Sequence, residues 1–337
     1  MLKARRSRWD EEKMKHIGLA VLMTAVVFAF AGCGGAPNGT PGALPLGGPA
    51  LPIPDNAKNK TLIYVSSDDN NVYVFAYPSG KLVQTLTGFY SVGDICSDSS
   101  GNVWITNASE SYKSGSLVEY AHGGTTPIAT LDDAHEPLAC AVDPSTGNLA
   151  AVNGNGAASV AVYANAQGTP TYYSGGSLYG FFTASYDSTS DLFLTGYLDS
   201  MKLGTGWLQK GAATLSSFRL KPNTFPHAGL QWDGQYLLVA ANPEYINKYA
   251  IHGSMGKKVG SLSLGFPRME HFAIDGSLLV ATDGDNGTVA LFHYPSGKSI
   301  KVIDGVSEPN GVTISVAQSE PRGAERSLLL KRSGFKR

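Results

Sequence analysis

Charged residues are scarce in this chain, and their scarcity limits the class of protein it can be. They make up 16% of the 337 residues, against about 25% in a typical soluble domain. This composition argues against disorder, coiled coils and long exposed helices. The 40 glycines favour short strands joined by tight turns.

Several sequence signatures of enzymes and nucleic-acid-binding proteins are also missing. The chain contains no Gly-x-Ser-x-Gly elbow, no glycine-rich phosphate loop and no His-Glu-x-x-His helix, which weakens an enzymatic interpretation without excluding it. The formal net charge is -1, and residues 17–317 carry 14 Lys and Arg against 22 Asp and Glu. Nucleic-acid binding through bulk charge is therefore not expected.

The longest apolar run lies near the N-terminus and predicts an export signal. It extends from Ile17 to Ala31 and would make only about 22 Å of helix, too short for a bilayer core of about 30 Å. The end of this run and the two residues after it, Phe30-Ala31-Gly32-Cys33, resemble the bacterial lipobox, in which the Cys is lipidated. We therefore expect residues 1–32 to be a lipoprotein signal peptide and Cys33 to carry the lipid; an ordinary signal peptide is the alternative.

Two segments flank the folded part. Residues 33–60 are rich in Gly, Pro and Ala and predict a flexible tether. Residues 318–337 contain six basic residues against two acids, and we expect a disordered tail. Gly34 after Cys33 favours the outer membrane of the cell envelope, by the rule that holds for lipoproteins as a class.

An internal repeat of about 43 residues predicts the fold between these segments. The stretch Val74–Lys81 recurs as Leu291–Lys298, and apolar strands end in Asp-containing turns at regular intervals. These turns lie at Asp98, Asp143, Asp187, Asp233 and Asp275. Units of this length with four short strands are typical of propeller blades.

The two ends of the repeat region complement each other. Thr61–Val65 matches the second strand of a unit, and Pro309–Ser315 matches a first strand, so we expect both to complete one blade and close the ring. The sequence thus predicts an all-β, six-bladed β-propeller with four-stranded antiparallel blades over residues 61–317. The unit at about 178–222 is irregular, so five or seven blades remain compatible.

The repeat units resemble the NHL-type and YVTN-type β-propellers of exported bacterial proteins. The elements that carry the resemblance are Val142-Asp143, Gly147-Asn148-Leu149, Ile105-Thr106-Asn107 and Asn286–Val289. The resemblance implies a fold over the whole repeat region, and these families include binding, scaffolding, lactonase and lyase functions. It therefore does not select one activity.

Two short motifs bear on metal binding. Asp283–Gly287 has the paired acids of a calcium loop, but Asp68–Asn71 and Asn153–Gly156 occupy the same place in their units, which favours tight turns. Pro309-Asn310-Gly311 resembles the Pro-Asn-Gly of gluconolactonase-like six-bladed propellers. That resemblance implies an Asn310 side chain near a divalent metal in the channel, although the family's Glu and Asp partners are not matched.

The first strand of each unit should line the central channel, so polar residues at the start of these strands are the candidate ligand-binding residues. They are Asp94, His135, Glu136, His227, Arg268, Glu270, His271, Glu308 and Asn310. Converging His and carboxylate side chains would suit a metal or acid–base chemistry. The alternative is a solvated rim whose charges pair with one another. Five aromatic residues lie near the same strand starts and would suit a sugar or hydrophobic ligand, or would pack between blades: Tyr90, Tyr179, Phe181, Phe182 and Phe225.

Two functional hypotheses follow. The first is an exported, lipid-anchored binding or scaffold module, with the membrane, through Cys33, and a small ligand or envelope protein as partners, and no nucleic acid. The second is a metal-dependent lactonase-type hydrolase with Glu136, Glu270, His271 and Asn310 near the metal. Cys96 and Cys140 lie in adjacent first strands, one position out of register when aligned by their turns, so a disulfide and two buried thiols are both compatible.

Overall fold

The computed structural model describes residues 60–154, 159–198, 202–222, 229–242, 245–266 and 269–317. Within these ranges the chain forms 24 β-strands and one short 3₁₀ turn at Ala164–Ala166. None of the described residues belongs to a helix that is long and apolar enough to span a bilayer. The all-β class predicted from composition and repeats is confirmed.

Sixteen strands form four antiparallel sheets of four strands each. One sheet contains β1 (Leu62–Ser67), β2 (Val72–Ala76), β3 (Lys81–Leu86) and β24 (Pro309–Ser315). The next contains β4 (Ser91–Ser97), β5 (Val103–Ala108), β6 (Gly115–Tyr120) and β7 (Pro127–Asp133). The third contains β8 (Pro137–Val142), β9 (Leu149–Asn153), β10 (Val160–Tyr163) and β11 (Thr171–Tyr173). The fourth contains β20 (Phe272–Asp275), β21 (Leu278–Asp283), β22 (Thr288–His293) and β23 (Lys298–Asp304).

The remaining eight strands form one larger sheet made of two antiparallel groups. The first group is β12 (Gly180–Tyr186), β13 (Leu192–Leu198), β14 (Lys202–Leu208) and β15 (Ser216–Lys221). The second is β16 (Leu230–Trp232), β17 (Leu237–Asn242), β18 (Tyr245–His252) and β19 (Met255–Ser263). The groups join through a parallel pairing of β15 with β19, in which Arg219 lies opposite Met255.

The sheets are arranged as a ring around the first strand of each group. β4 contacts β24 and β8, β8 contacts β12, β12 contacts β16, β16 contacts β20, and β20 contacts β24. β24 pairs antiparallel with β1, with Tyr64 opposite Thr313. β24 thus completes the sheet of β1, β2 and β3, as the two ends of the repeat predict, and gives β1 a hydrogen-bonded partner on both sides.

Both faces of a sheet are buried, which explains the nearly continuous apolar runs in the strands. Successive side chains of a strand point to opposite faces. In β1, Leu62 and Tyr64 pack into a hydrophobic cluster shared with β4 and β5, whereas Ile63 and Val65 pack into another shared with β20 and β21. The core therefore consists of a layer between each pair of neighbouring sheets.

The periodic Asp residues stabilise the turns between the first and second strands. Oδ1 of Asp98 accepts the backbone N–H of Ser100 at 2.8 Å, and Asp187 accepts that of Thr189 at 2.8 Å. Asp143 and Asp233 make the same kind of bond. A side-chain oxygen that holds a backbone N–H two residues on favours a turn, which is the physical reason for the repeated Asp.

Candidate functional site

A cavity of about 620 Å³ lies at the centre of the ring. All six innermost strands line it, and their lining residues include Asp94, Cys96, Cys140, Thr183, Gln231, His271 and Thr313. The sequence-based expectation that the first strands surround a channel is therefore met. The cavity is of the size that small ligands occupy in proteins.

Asp94 and His271 are the two predicted site residues that line this cavity and lie close together. Nδ1 of His271 is 3.6 Å from Oδ1 of Asp94, and the two side chains are 16% and 14% exposed. Oδ1 of Asp94 also accepts the backbone N–H of Ile95 at 2.8 Å. The pair thus offers a carboxylate and an imidazole to the cavity while remaining largely shielded from bulk water.

Burial raises the pKa of the Asp94 carboxyl above its usual range. The neighbouring His271 and the backbone N–H groups of Ile95 and Val312 act in the opposite direction, but they do not cancel the effect of burial. A carboxylate in such surroundings gains from any added positive charge or hydrogen-bond donor. The same group is a functional-site candidate because its pKa is perturbed inside a cavity.

Gly311 permits the close approach of Asp94 to the closing strand β24. A Cβ atom at this position would overlap Oδ1 of Asp94 and would lie 2.7 Å from the Cα of Asp94 and 2.9 Å from Oγ of Ser66. Only glycine avoids these overlaps without displacing backbone. The Pro-Asn-Gly motif therefore has a packing role at its third residue.

Hydroxyl groups on second strands hold the inner strands in place beside this pair. Oγ1 of Thr282 donates to the Asn310 carbonyl at 2.6 Å and accepts the backbone N–H of His271 at 3.1 Å. Oγ1 of Thr106 lies 3.1 Å from the carbonyl of Asp94. Both hydroxyls are fully buried. Neither threonine was among the candidates predicted from the sequence, although a Ser or Thr recurs within β1, β5, β13 and β21 and was the available signal.

His135 and Glu136 do not line the central cavity. Nδ1 of His135 lies 3.2 Å from Oγ of Ser159, and its ring packs edge-on against Tyr172 at 4.8 Å. Glu136 is 3% exposed, and its backbone carbonyl accepts the N–H of Gly154 at 3.0 Å. These two residues belong to the interface between the β4–β7 and β8–β11 sheets.

Three further candidates, Glu270, Glu308 and Asn310, do not line the cavity. Glu270 is partly buried, next to Gly284, and the Asn310 carbonyl is bonded to Thr282. Glu308 is exposed, with a φ of 35°, and its carbonyl accepts the N–H of Asp68 at 3.3 Å. His227, Arg268 and Cys33 lie outside the described residues.

The described residues bring no group of three His, Cys, Asp or Glu side chains close enough to hold a metal ion. Of the four residues expected near a lactonase-type metal, His271 alone lines the cavity. The Asp94–His271 pair therefore provides two potential ligands rather than a complete set, since a catalytic metal ordinarily has three protein ligands.

Aromatic side chains are exposed near the start of two inner strands. Tyr179 is 48% exposed and stacks on Tyr197 at 5.7 Å, which in turn meets Phe182 edge-on at 4.5 Å. Tyr90 meets Tyr112 at 6.0 Å, and both are 38% exposed. Exposed rings of this kind can cover apolar parts of a ligand.

Cys96 and Cys140 form a disulfide between the innermost strands of neighbouring sheets, with Cα atoms 5.7 Å apart. A β-bulge follows Val92 in β4 and Pro137 in β8, and each Cys is the second residue after the bulge ends. Counted from the bulges, the two cysteines are in register. Alignment by the Asp turns missed this because the bulges are not visible in the sequence.

Comparisons with known proteins agree on the fold. No protein-family model matches the chain, and no curated protein matches its sequence. A chain from the crystal structure of a nidogen/laminin complex has a TM-score of 0.59 at 14% identity, covering 77% of this chain and 100% of that one. A functionally unknown protein from Desulfotomaculum acetoxidans DSM 771 has a TM-score of 0.54 at 11% identity, covering 76% and 99%. Apo AztD from Citrobacter koseri has a TM-score of 0.49 at 12% identity, covering 76% and 98%. Together with the ring of antiparallel sheets, the first two likenesses establish a β-propeller fold.

Proposed function

We propose that this protein is a binding or scaffold module whose ligand or protein partner is held at the central cavity by Asp94 and His271. The observation that carries the proposal is the placement of this pair, 3.6 Å apart, in a cavity lined by all six inner strands. A ring of rigid sheets holds both side chains in fixed positions. Preorganised polar groups in a concave site favour selective binding.

The chemistry of the pair indicates the kind of group that would be bound. Asp94 supplies acceptor oxygens, and His271 supplies a ring nitrogen that can donate or accept. An ammonium group, a hydroxyl group or a hydrated cation would satisfy both. Tyr90 and Tyr179 do not line the cavity, but their exposed rings, just before β4 and β12, would add apolar contact area for a ligand that extends beyond it, such as a sugar or a partner protein.

We also propose that the ring consists of six blades. The two halves of the eight-stranded sheet, β12–β15 and β16–β19, have the same antiparallel order as the smaller sheets. If they are two blades whose outer strands meet, the ring has six. One structural neighbour comes from a nidogen/laminin complex, and a propeller that takes part in a protein complex is consistent with a scaffold role.

We propose further that the domain is exported and lipid-anchored. The apolar run from Ile17 to Ala31 and the lipobox-like sequence ending at Cys33 support this, with residues 33–60 as the tether. The propeller over residues 61–317 would then stand in the cell envelope, facing the periplasm or exposed on the outer membrane. Replacement of Cys33 by Ser should move the protein from the detergent phase to the aqueous phase in a partition experiment.

A thermal-shift screen of the chain against divalent metals, sugars and lactones, followed by affinity capture from envelope extracts, tests the binding proposal. A ligand of the central cavity should raise the melting temperature of the wild type but not that of D94N or H271Q. H293Q, which removes an exposed histidine on β22, is the matched control. Stabilisation that survives both cavity substitutions would place the ligand elsewhere and contradict the proposal.

The alternative is a metal-dependent lactonase-type hydrolase, favoured by one observation. Asn310 of the Pro-Asn-Gly motif and His271 share Thr282 as hydrogen-bond partner, which brings two of the expected residues to one place. A chelator-free preparation should then contain a stoichiometric divalent metal by elemental analysis, and lactone hydrolysis should disappear in H271Q. Protein without metal and without turnover in the presence of calcium, magnesium, zinc or manganese would exclude this alternative.

A further inference from the structure

A second groove lies in the outer part of the β12–β15 group, away from the central cavity. It has a volume of about 570 Å³, and none of its lining residues lines the central cavity. The lining residues are Ser177, Leu198, Gly204, Thr205, Ser217, Phe218, Arg219, Leu220 and Lys221. Among the residues that the structure describes, the lining thus combines apolar side chains, hydroxyl groups and two cations, without a carboxylate.

The position of the Leu198 side chain in the groove depends on a glycine in β14. A Cβ atom at Gly204 would lie 2.5 Å from Cγ of Leu198 and 2.6 Å from Cδ1 of the same side chain. Leu198 therefore packs directly over the bare backbone of β14. Any larger residue at this position would displace Leu198 and change the apolar part of the groove.

The two cations project from the same face of β15, which pairs with β14 on one side and with β19 on the other. Arg219 and Lys221 are exposed, whereas Phe218 and Leu220 are buried, and residues two apart in a strand project to one side. In the parallel pairing with β19, Lys257 lies opposite Lys221. Three positive charges thus gather on this surface.

These charges have no counter-charge within the described part of the chain. No described side chain makes a hydrogen bond or an ion pair with Arg219, Lys221 or Lys257. Like charges opposite each other in a sheet are unfavourable, and an unpaired cationic cluster is relieved by a bound anion. The hydroxyl groups of Ser177 and Ser217, 2.9 Å apart, are also at the groove and can donate to an anionic oxygen.

We propose that this groove binds a phosphate group carried by a partly apolar molecule. The groove offers several hydrogen-bond donors: the guanidinium group of Arg219, the ammonium group of Lys221 and two hydroxyl groups. These are more donors than the two oxygens of a carboxylate require. A phosphate monoester offers three terminal oxygens, which match this set. The apolar side chain of Leu198, which covers Gly204, then contacts the part of the molecule attached to the phosphate.

A soluble phosphate ester and a phospholipid headgroup share this chemistry, and two binding measurements separate them. The first is calorimetric titration of the full chain with phenyl phosphate, with phenol as the uncharged comparison. The second is sedimentation with phosphatidylcholine vesicles prepared with and without phosphatidylglycerol, using the full chain with Cys33 replaced by Ser so that no lipid anchor contributes.

The variant R219Q/K221Q removes both groove cations, and K298Q/K301Q removes two exposed cations from β23 with the same change of net charge. All four positions are exposed, so both variants should keep the wild-type melting temperature. We expect phenyl phosphate affinity, or retention on phosphatidylglycerol vesicles, to fall by about tenfold or more in R219Q/K221Q. K298Q/K301Q should match the wild type.

Binding of phenyl phosphate but not of vesicles would identify a soluble ester as the ligand class, and the reverse would identify a headgroup. Equal losses in the two variants would show that net charge alone controls binding and would overturn the proposal. Absence of binding to both probes, or equal affinity for phenol and phenyl phosphate, would also overturn it. The proposal is independent of the central cavity, because Asp94 and His271 are not changed in any arm.

Discussion

Nδ1 of His271 lies 3.6 Å from Oδ1 of Asp94, although Asp94 lies in β4 and His271 directly precedes β20, near opposite ends of the repeat region. β20 places the histidine and β4 places the aspartate, and β24 runs between these two strands in the ring. The closing strand therefore determines their separation. Changes in β24 should alter the candidate site as well as the stability of the ring.

The raised pKa of Asp94 predicts a specific pH dependence of stability. An unfolded Asp ionises near pH 3.9, so between that value and the higher folded pKa the folded protein holds a proton that the unfolded chain releases. The free energy of unfolding should therefore fall as pH rises through this window. In D94N this contribution is absent.

Urea unfolding of the wild type and D94N from about pH 4 to pH 8 measures this contribution. The stability of the wild type relative to D94N should decline with rising pH and then level off. D304N, which removes an exposed carboxylate on β23, controls for the loss of one negative charge. A difference between wild type and D94N that is constant with pH would contradict the burial argument.

Substitution of Gly311 by Ala should destabilise the protein, because the new Cβ would overlap Asp94 and lie 2.9 Å from Oγ of Ser66. Overpacking of this kind typically costs about 1–3 kcal/mol. G260A is the matched control, since nothing lies within 4 Å of a Cβ at Gly260. Chemical denaturation of both variants gives the comparison. Equal midpoints for G311A and the wild type would show that β24 can move away from Asp94 without cost.

Loss of the disulfide should lower stability without unfolding the ring. The bridge closes a loop with a sequence separation of 44 residues, and such bridges contribute roughly 2–4 kcal/mol. C96A/C140A under oxidising conditions and the reduced wild type should both show this loss in urea unfolding. Mass spectrometry of the intact protein before and after reduction tests the bond itself. Equal masses would show that the two thiols are free.

The buried hydroxyl of Thr282 should contribute more to the free energy of unfolding than an exposed hydroxyl does. T282V keeps the shape of the side chain but removes the bonds to Asn310 and His271. This leaves a partly buried carbonyl and a partly buried N–H without that partner, at a cost of about 1–3 kcal/mol. T130V, on the exposed face of β7, serves as the comparison. Similar unfolding free energies for the two variants would refute a bracing role.

Much of the fold could be predicted from the sequence because its determinants are local and repeated. The Asp at each first turn holds backbone N–H groups within a few residues, as at Asp98, and this bond does not depend on distant contacts. The recurrence of Val74–Lys81 at Leu291–Lys298 reflects the same local hairpin in two sheets. The pairing of β24 with β1 followed from the repeat, since each end lacked the strand that the other supplied.

The candidate site was predicted only in outline, because it depends on side-chain positions that the repeat does not specify. Nine residues were expected to crowd the channel mouth, and the structure places Asp94 and His271 in the cavity wall. Glu136 lies at the start of a first strand like Asp94, yet it packs beside Gly154. The bulges at the start of β4 and β8 change which side chains face the axis.

The sequence by itself determined the class of fold, the repeat length, the closing strand and the turns, since short-range hydrogen bonds and alternating burial are encoded residue by residue. Tertiary structure alone decided the Cys96–Cys140 bond, the Asp94–His271 pair and the cationic surface of β15. Each of these joins residues from different sheets or different strand groups. Their distances depend on bulges and on packing between strands, which no single repeat unit contains.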